Sequence, residues 1–459
     1  MIENNNAQVH IADVSYFVTP NTELDREARR RGTTVYLVNK VIPMLPPLLC
    51  EELCSLNPNV DRLAFSAIWR MNRDGTLVAN NEPPSSSSPL SSSSAAPGVW
   101  FGRTVIQSCA KLDYLTAQNM IEGKIRLGEA SSATPDLWED SRRPVGFTCD
   151  GVCSDVLLLH EVAKARRQLR FASGALALDN AKLSFQLDSH GNPCGFGSYP
   201  IRDSNRLIEE YMLLANYLVA QQLLAHAGGR ALIRMHPPPL EKGMLDLQQT
   251  LEETLGQHGF ALDVSSSASV HASLVQLQAL CTKPGSGLDR NIPGVVKALA
   301  TIPMQPAQYI AAGEHDPPTW RHYALNVPYY THFTSPIRRY ADVMVHRLLT
   351  ATLQGPDAVG RTYSAQQVGK TAQHCNEKKL AAKNAQERSD LVFLCVYLRR
   401  LPDGHFMEED AMVVSMGKAS FTVRVLRLGL DCRLYLDNMG AEGAFDDTDK
   451  TMTLTRRAS

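Results

Sequence analysis

Between Ser204 and His226 the chain carries apolar side chains at Leu207, Ile208, Tyr211, Met212, Leu214, Ala215, Leu218, Val219 and Leu223. The spacing predicts a long helix with a broad apolar face, and Ser204 is a candidate N-cap. Such a face is stable only when other elements cover it. The rest of the chain offers both kinds of cover. Strand patterns rich in β-branched and aromatic residues are expected at Val9–Val18, Leu63–Met71 and Val99–Ser108, the last two paired, with a turn at Asp74-Gly75. Helices are expected around Thr22–Val38, Leu240–His258, His271–Leu280, Arg338–Leu353 and Ser364–Leu398, the last as one helix or two. Pro43–Pro47 and His236–Pro239 are expected as extended loops. The region from Glu122 to Asp155 has no clear period. The fold class is therefore α+β.

At 459 residues, the chain is longer than one compact domain usually needs, and its 44% hydrophobic content is enough for a sizeable core. No apolar run is long enough to span a membrane, and Met1–His10 has no signal-peptide core, so a cytosolic or nuclear location is expected. The net charge of −1 excludes a general basic field, so any polyanion site must be a local patch. The ten cysteines include two C-x3-C pairs, Cys50/Cys54 and Cys149/Cys153, without a histidine at zinc spacing. They read as reduced thiols. The segment 83–98 is almost wholly Ser, Pro and Ala, and is expected as a flexible surface insertion.

One stretch concentrates chemistry. Tyr329-Tyr330-Thr331-His332-Phe333-Thr334-Ser335-Pro336-Ile337-Arg338-Arg339-Tyr340 places two guanidinium groups and three tyrosines around one Ser-Pro turn. Arginine forks match phosphate oxygens, and aromatic rings offer stacking faces to unpaired bases. Ser335 as N-cap and Pro336 at the first helical position would also aim free N–H groups at an anion. A serine hydrolase is not indicated, because Ser335 has no base–acid partner pattern. Structural ion pairing is the alternative reading for Arg338 and Arg339. A structural role is expected for His332 and His346. Lys378, Lys379 and Lys383 read as a solvated face.

Five segments recur in the order found in the RNase II/RNase R (RNB) family: His10–Ser15, Pro43–Pro46, Leu53–Leu56, Leu207–Asn216 and Ser335–Arg339. The chain resembles that family over most of residues 9–400. Cys50–Leu56 and Arg321–Pro328 look most like its eukaryotic Dis3-like branch, and within it the cytoplasmic, exosome-independent kind acting on oligouridylated RNA. The resemblance implies an RNB catalytic-type domain over 1–355, a helical extension over 356–403 and an S1/OB-type β-barrel over 404–459. In this reading both the N-terminus of the RNB domain and the barrel are incomplete.

The family's activity is 3′→5′ exoribonucleolytic hydrolysis of single-stranded RNA to nucleoside 5′-monophosphates, with Mg²⁺ or Mn²⁺ activating water. Carried onto this chain, Arg338 is the candidate catalytic arginine at the scissile phosphate. Tyr36, Tyr114, Phe171, Glu209 and Arg339 are candidate RNA-binding residues, Tyr36 and Phe171 flanking the terminal base and Glu209 on the terminal sugar. The resemblance further implies a monomer that is cytoplasmic, free of membranes and not exosome-bound. The family's D-x5-D-x-D-D metal-binding segment has no counterpart in Met1–Asn6. Asp13 reads as a polar strand-end residue, and Asp446, Asp447 and Asp449 as a solvated loop. No metal ligand is assigned, and the chain as written is expected to be inactive. The alternative reading is a catalytically dead module that holds RNA 3′ ends.

Overall fold

The computed structural model describes residues 6–78, 98–178, 183–198, 200–402, 406–446 and 451–456. The Ser/Pro-rich segment, apart from Gly98, lies outside them, as do Asp447 and Asp449.

Strand β1 (Asn6–Ala12) runs into the short helix α1 (Val14–Phe17), and α2 (Glu23–Arg31) follows. Thr22 caps α2 by accepting a bond from the Asp25 amide. The helix expected to reach Val38 stops at Arg31 because Gly32 takes a positive φ of 70°. Beyond it, β2 (Val35–Tyr36) and β3 (Val41–Ile42) form a small hairpin. Strands β4 (Asp61–Arg70) and β5 (Val99–Gln107) pair as expected, and β1 joins the free edge of β4 to give the antiparallel order β1-β4-β5.

The next helices are α3 (Tyr114–Ile121) and α4 (Cys149–Ala172). The patternless region therefore ends at Cys149, where Thr148 caps a 24-residue helix. A hairpin, β6 (Leu183–Leu187) with β7 (Pro193–Ser198), precedes α5 (Asp203–Ala227). Arg202, not Ser204, is the N-cap of α5, because the Ser204 hydroxyl donates instead to the Tyr114 carbonyl at 2.7 Å. Strand β8 (Leu232–Met235) leads to α6 (Glu241–Leu255), α7 (Ser267–Thr282) and α8 (Ile292–Thr301), and then pairs with β9 (Gln308–Ala311).

Helix α9 (Tyr340–Gln354) is followed by α10 (Pro356–Gly360) and α11 (Ala365–Arg399), the last a single 35-residue helix started by a Ser364/Gln367 capping box. The C-terminal strands β10 (Ala411–Gly417), β11 (Ser420–Val425) and β12 (Leu430–Tyr435) form one sheet. Strands β13 (Ala441–Asp446) and β14 (Thr451–Arg456) form a hairpin. These are small strands of OB type, so the molecule is α+β with β elements at its C-terminal end.

The main core sits where the β1-β4-β5 sheet meets α5 and α9. Phe65 and Trp69 of β4 are fully buried. Phe65 meets Phe333 edge-on at 5.7 Å and His346 at 5.2 Å. A second apolar cluster joins α6, α7 and α8 around Leu247, Phe260, Leu274 and Val296. Among the described residues no helix is long and apolar enough to cross a membrane.

Candidate nucleic-acid interface

The Ser-Pro segment is a turn rather than a helix start. Arg338 and Arg339 donate their amides to the Ser335 carbonyl at 3.2 and 3.1 Å, and α9 begins only at Tyr340. The expected anion site at a helix N-terminus on Pro336 is therefore not formed. The Ser335 amide is already used by the Asp342 carboxylate at 2.7 Å.

What the turn does is pair with the other half of the chain. Thr33 and Arg339 form a β-bridge, and the Thr34 amide donates to the Arg338 carbonyl at 3.0 Å. This short zipper places Tyr36, two residues further along, beside Arg338. The two side chains line one groove of about 370 Å³ with His10, Ile11, Ser55, Thr334, Pro336 and Ile337. Both are exposed, Tyr36 at 44%. Among the described residues the Arg338 guanidinium has one side-chain bond, to the Ser335 hydroxyl at 3.3 Å, and no carboxylate partner.

Arg338 also borders a second cavity of about 290 Å³, lined by Thr33, Tyr309, His332, Arg339 and Lys379. Cations crowd this side. Arg234 lies buried under Tyr309, 4.9 Å from its ring centroid, with one guanidinium nitrogen lacking a hydrogen-bond partner. Arg339 is neutralised by Asp342 through two bonds of 2.7 Å, so its fork is spent on a structural pair. Lys379 reaches solvent, yet the protein packed around its ammonium, then Arg234, Arg339 and Lys383, lowers its pKa to about 7. Burial first, then Arg339, Arg234 and Lys379, holds His332 well below the usual imidazole range, and His332 bonds the Tyr309 hydroxyl at 2.6 Å. His346 is buried and donates Nε2–H to the Phe333 carbonyl at 2.8 Å. Both histidines are thus engaged within the fold.

Phe171 and Glu209 belong to another group of side chains. Phe171 stacks on His271 with ring centroids 4.8 Å apart, and the Arg167 and Arg170 guanidinium groups each lie 4.8 Å from its centroid. Arg167 pairs with Glu209 at 3.2 Å, while buried Glu210 takes Arg170 at 2.6 Å. Tyr114 is the first residue of α3 and is exposed. The structure therefore brings Tyr36, Arg338 and Arg339 together, but sets Phe171 on a cavity that shares no lining residue with theirs, and ties Glu209 to Arg167 of that cavity's wall.

Of two further cations at the interface, Arg234 has no place in the sequence reading, and Lys379 reads there as part of a solvated face. Arg234 sits in a run of apolar residues, and a charge inside a buried strand was the available signal. Lys379 separates from its neighbours only in three dimensions. Lys378 packs on Gly32 and Lys383 pairs with Glu387 at 3.6 Å, whereas Lys379 turns into the cavity.

A divalent metal finds no donor set here. Asp13 is buried, accepts from the Ser15 hydroxyl and the Tyr16 amide, and pairs with Arg103 at 2.9 Å. It is the cap of α1. Asp342 is spent on Arg339 and the Ser335 amide. Among the described residues no three His, Cys, Asp or Glu side chains converge as a metal site, and Cys50/Cys54 and Cys149/Cys153 are free thiols. The Cys54 thiol is pushed up to about 12 by burial, then by Cys50 and Asp13.

The antiparallel sheet packs on a central helix, and the Ser-Pro-Ile-Arg-Arg turn is zipped to a Thr-Thr-x-Tyr strand. Residues 3–355 match the RNB domain, and the chain belongs to that family. It is 43% identical over 437 residues to DIS3-like exonuclease 2 of Xenopus tropicalis, covering 94% of this chain and 47% of that protein. The chain spans about half the length of the curated relatives it matches. Its fold is similar to that of Mycoplasma genitalium RNase R solved with ribose-methylated single-stranded RNA (TM-score 0.74, 20% identity, 99% of this chain and 63% of that one). It is also similar to that of yeast Ssd1, a pseudonuclease (TM-score 0.72, 22% identity, 99% and 49%).

Proposed function

We propose that this chain grips the 3′ end of single-stranded RNA in the groove between Tyr36 and Arg338, and that by itself it binds without cleaving. The observation that carries this reading is an exposed guanidinium with no carboxylate partner among the described residues, set beside an exposed aromatic ring and backed by Lys379 and by Arg234 under Tyr309. A phosphate accepts the fork and a base stacks on the ring. Arg339 then acts as a positioning residue, its charge held in place by Asp342.

The family's activity, metal-dependent 3′→5′ exoribonucleolysis, is the second reading, and the match to relatives named exonucleases favours it. Arg338 would there offset charge developing on the scissile phosphate. No hydrolytic step is assigned to the described residues, because they hold no carboxylate set for the metal. By the same resemblance, the RNA is proposed to be oligouridylated and the protein cytoplasmic and monomeric.

The test uses the purified chain, 5′-labelled RNA with a 3′ oligouridine tail, and Mg²⁺, read on native and denaturing gels together. Intact RNA in a shifted band is the expected result. Arg338→Ala should weaken the shift about tenfold or more, as removal of a charged hydrogen bond does, and Tyr36→Ala should do likewise through lost stacking. A ladder shortening from the 3′ end would favour the second reading. Intact, unshifted RNA would sink both for this chain.

A further inference from the structure

A cavity of about 790 Å³ lies away from the Tyr36–Arg338 groove, between α4, α5, α7 and α8. On α4, His160, Lys164, Arg167 and Phe171 follow at intervals of four, three and four residues, so they form one ladder along the helix. On α7, His271, Leu274, Val275, Gln278, Ala279 and Thr282 form the facing stripe. Leu274 also reaches into the apolar cluster with α6 and α8, while Val275 stands 55% exposed. The two stripes touch where Phe171 stacks on His271, and the space beside that stack is the cavity.

Its chemistry is divided. Ala163, Leu207, Leu274, Val275 and Ala279 give an apolar wall. Lys164 lies near His160 and Lys297 near His271. Among the described residues neither lysine is part of an ion pair. The one carboxylate lining the cavity, Asp203, is paired with Arg206 at 2.9 Å. Two uncompensated ammonium groups thus face a space of ligand size with an aromatic floor. Apolar wall, flat rings and spare positive charge together suit a planar group carrying a phosphate.

We propose that this cavity is a second, separate site for a mononucleotide, with the phosphate on Lys164 and Lys297 and the base against the Val275 side of α7. The inference does not rest on RNA binding at Arg338. A free nucleotide rather than a threaded strand is the occupant, because the cavity shares no lining residue with the Tyr36–Arg338 groove or the cavity beside it.

Isothermal titration of the full chain with uridine 5′-monophosphate, inorganic phosphate and uridine tests it. The nucleotide should bind in the high-micromolar to millimolar range, more tightly than phosphate, with uridine weakest. The double variant Lys164→Ala/Lys297→Ala should weaken nucleotide binding by about ten- to a hundredfold. Val275→Trp, which fills the cavity from a solvent-exposed position, should block it while circular dichroism stays unchanged. Arg338→Ala should leave the part of nucleotide binding that depends on Lys164 and Lys297 intact. The site is overturned by no heat of binding, by phosphate matching the nucleotide, or by loss of that part in Arg338→Ala. It is equally overturned if the lysine pair proves necessary for single-stranded RNA binding, which would place the cavity on the polymer's path.

Discussion

Arg347 shows how much a single side chain can hold. Its guanidinium donates to the Asp25 carboxylate at 2.6 Å and to the Val18 carbonyl at 2.7 Å, and the Tyr340 hydroxyl donates to the same Asp25 oxygen at 2.8 Å. Both ions are nearly buried, so α2 is bound to α9 through charge in a poorly hydrated place. Arg347→Met keeps the volume but leaves Asp25 uncompensated. Breaking one partner of a buried pair costs about 3–5 kcal/mol, and urea denaturation of the variant should show a loss of that order. The Lys379 ammonium argues a different residue-scale outcome. With its pKa lowered to about 7, it is largely neutral at pH 8 and charged at pH 6. Arg339, whose pKa is raised, keeps its charge over that span, and His332 stays neutral because its pKa lies well below the usual range. A bound phosphate favours the charged lysine, so RNA binding takes up a proton. Affinity should therefore be strongest below pH 7 and fall as pH rises above it, by no more than about tenfold per pH unit for one proton. Fluorescence anisotropy from pH 6 to pH 9 measures this, and Lys379→Met should flatten the profile. An unchanged slope in that variant would assign the proton elsewhere.

At the scale of elements, Gly32 is the joint that matters most. It ends α2 at positive φ, and a Cβ there would lie 2.8 Å from the Lys378 Cβ and Cγ on α11. Two residues of β2 then carry Tyr36 to the groove. Gly32→Ala meets both a backbone and a steric penalty, and should cost more than about 1 kcal/mol. It should also weaken RNA binding more than its stability loss explains, because the strand holding Tyr36 shifts. Thermal melts and anisotropy on the same preparation separate the two effects. This joint also marks where sequence reading stops. The period of Leu24, Ala28, Val35 and Leu37 continues across Gly32, so the helix was expected to continue too; one backbone angle overrides it. The paired strands β4 and β5 and the long helix α5 were legible because their apolar patterns are strong and buried on a defined face. Helix α4 was not, since few of its residues are buried, namely Cys153, Val156, Val162 and Ala163, and its remaining faces carry mixed charges along the ladder and ion pairs described above. The start of α9 was misplaced for a related reason. Ser-Pro is a helix-start signal locally, but the Ser335 amide goes to Asp342 and the turn is held by the Thr33–Arg339 bridge, contacts hundreds of residues apart in sequence.

Over the whole molecule the net charge is −1, so the proposed grip on RNA cannot draw on a general basic surface. It rests on a patch where, among the described residues, Arg234, Arg338, Arg339 and Lys379 face only Asp342. Of these, Arg339 is neutralised and Arg234 is buried, which leaves Arg338 and Lys379 to meet phosphates directly. Two neutralised phosphates of a single strand release few counterions, and the dependence of log affinity on log salt should have a slope of about −1.4. A loosely coating protein of high positive charge would give a much steeper line. The same accounting separates the patch from metal chemistry. If binding runs through these cations, replacing Mg²⁺ with a chelator should leave affinity essentially unchanged at constant ionic strength, since no described carboxylate group gathers a metal. Titrating oligouridine-tailed RNA at several potassium chloride concentrations, with and without Mg²⁺, measures both quantities at once. A slope near −1.4 that ignores Mg²⁺ fits the groove alone. A slope beyond about −4 would mean that other surfaces engage the strand. An affinity that collapses on chelation would mean that a metal bridges RNA to carboxylates beyond the described residues, and the binding reading would then give way to the hydrolytic one.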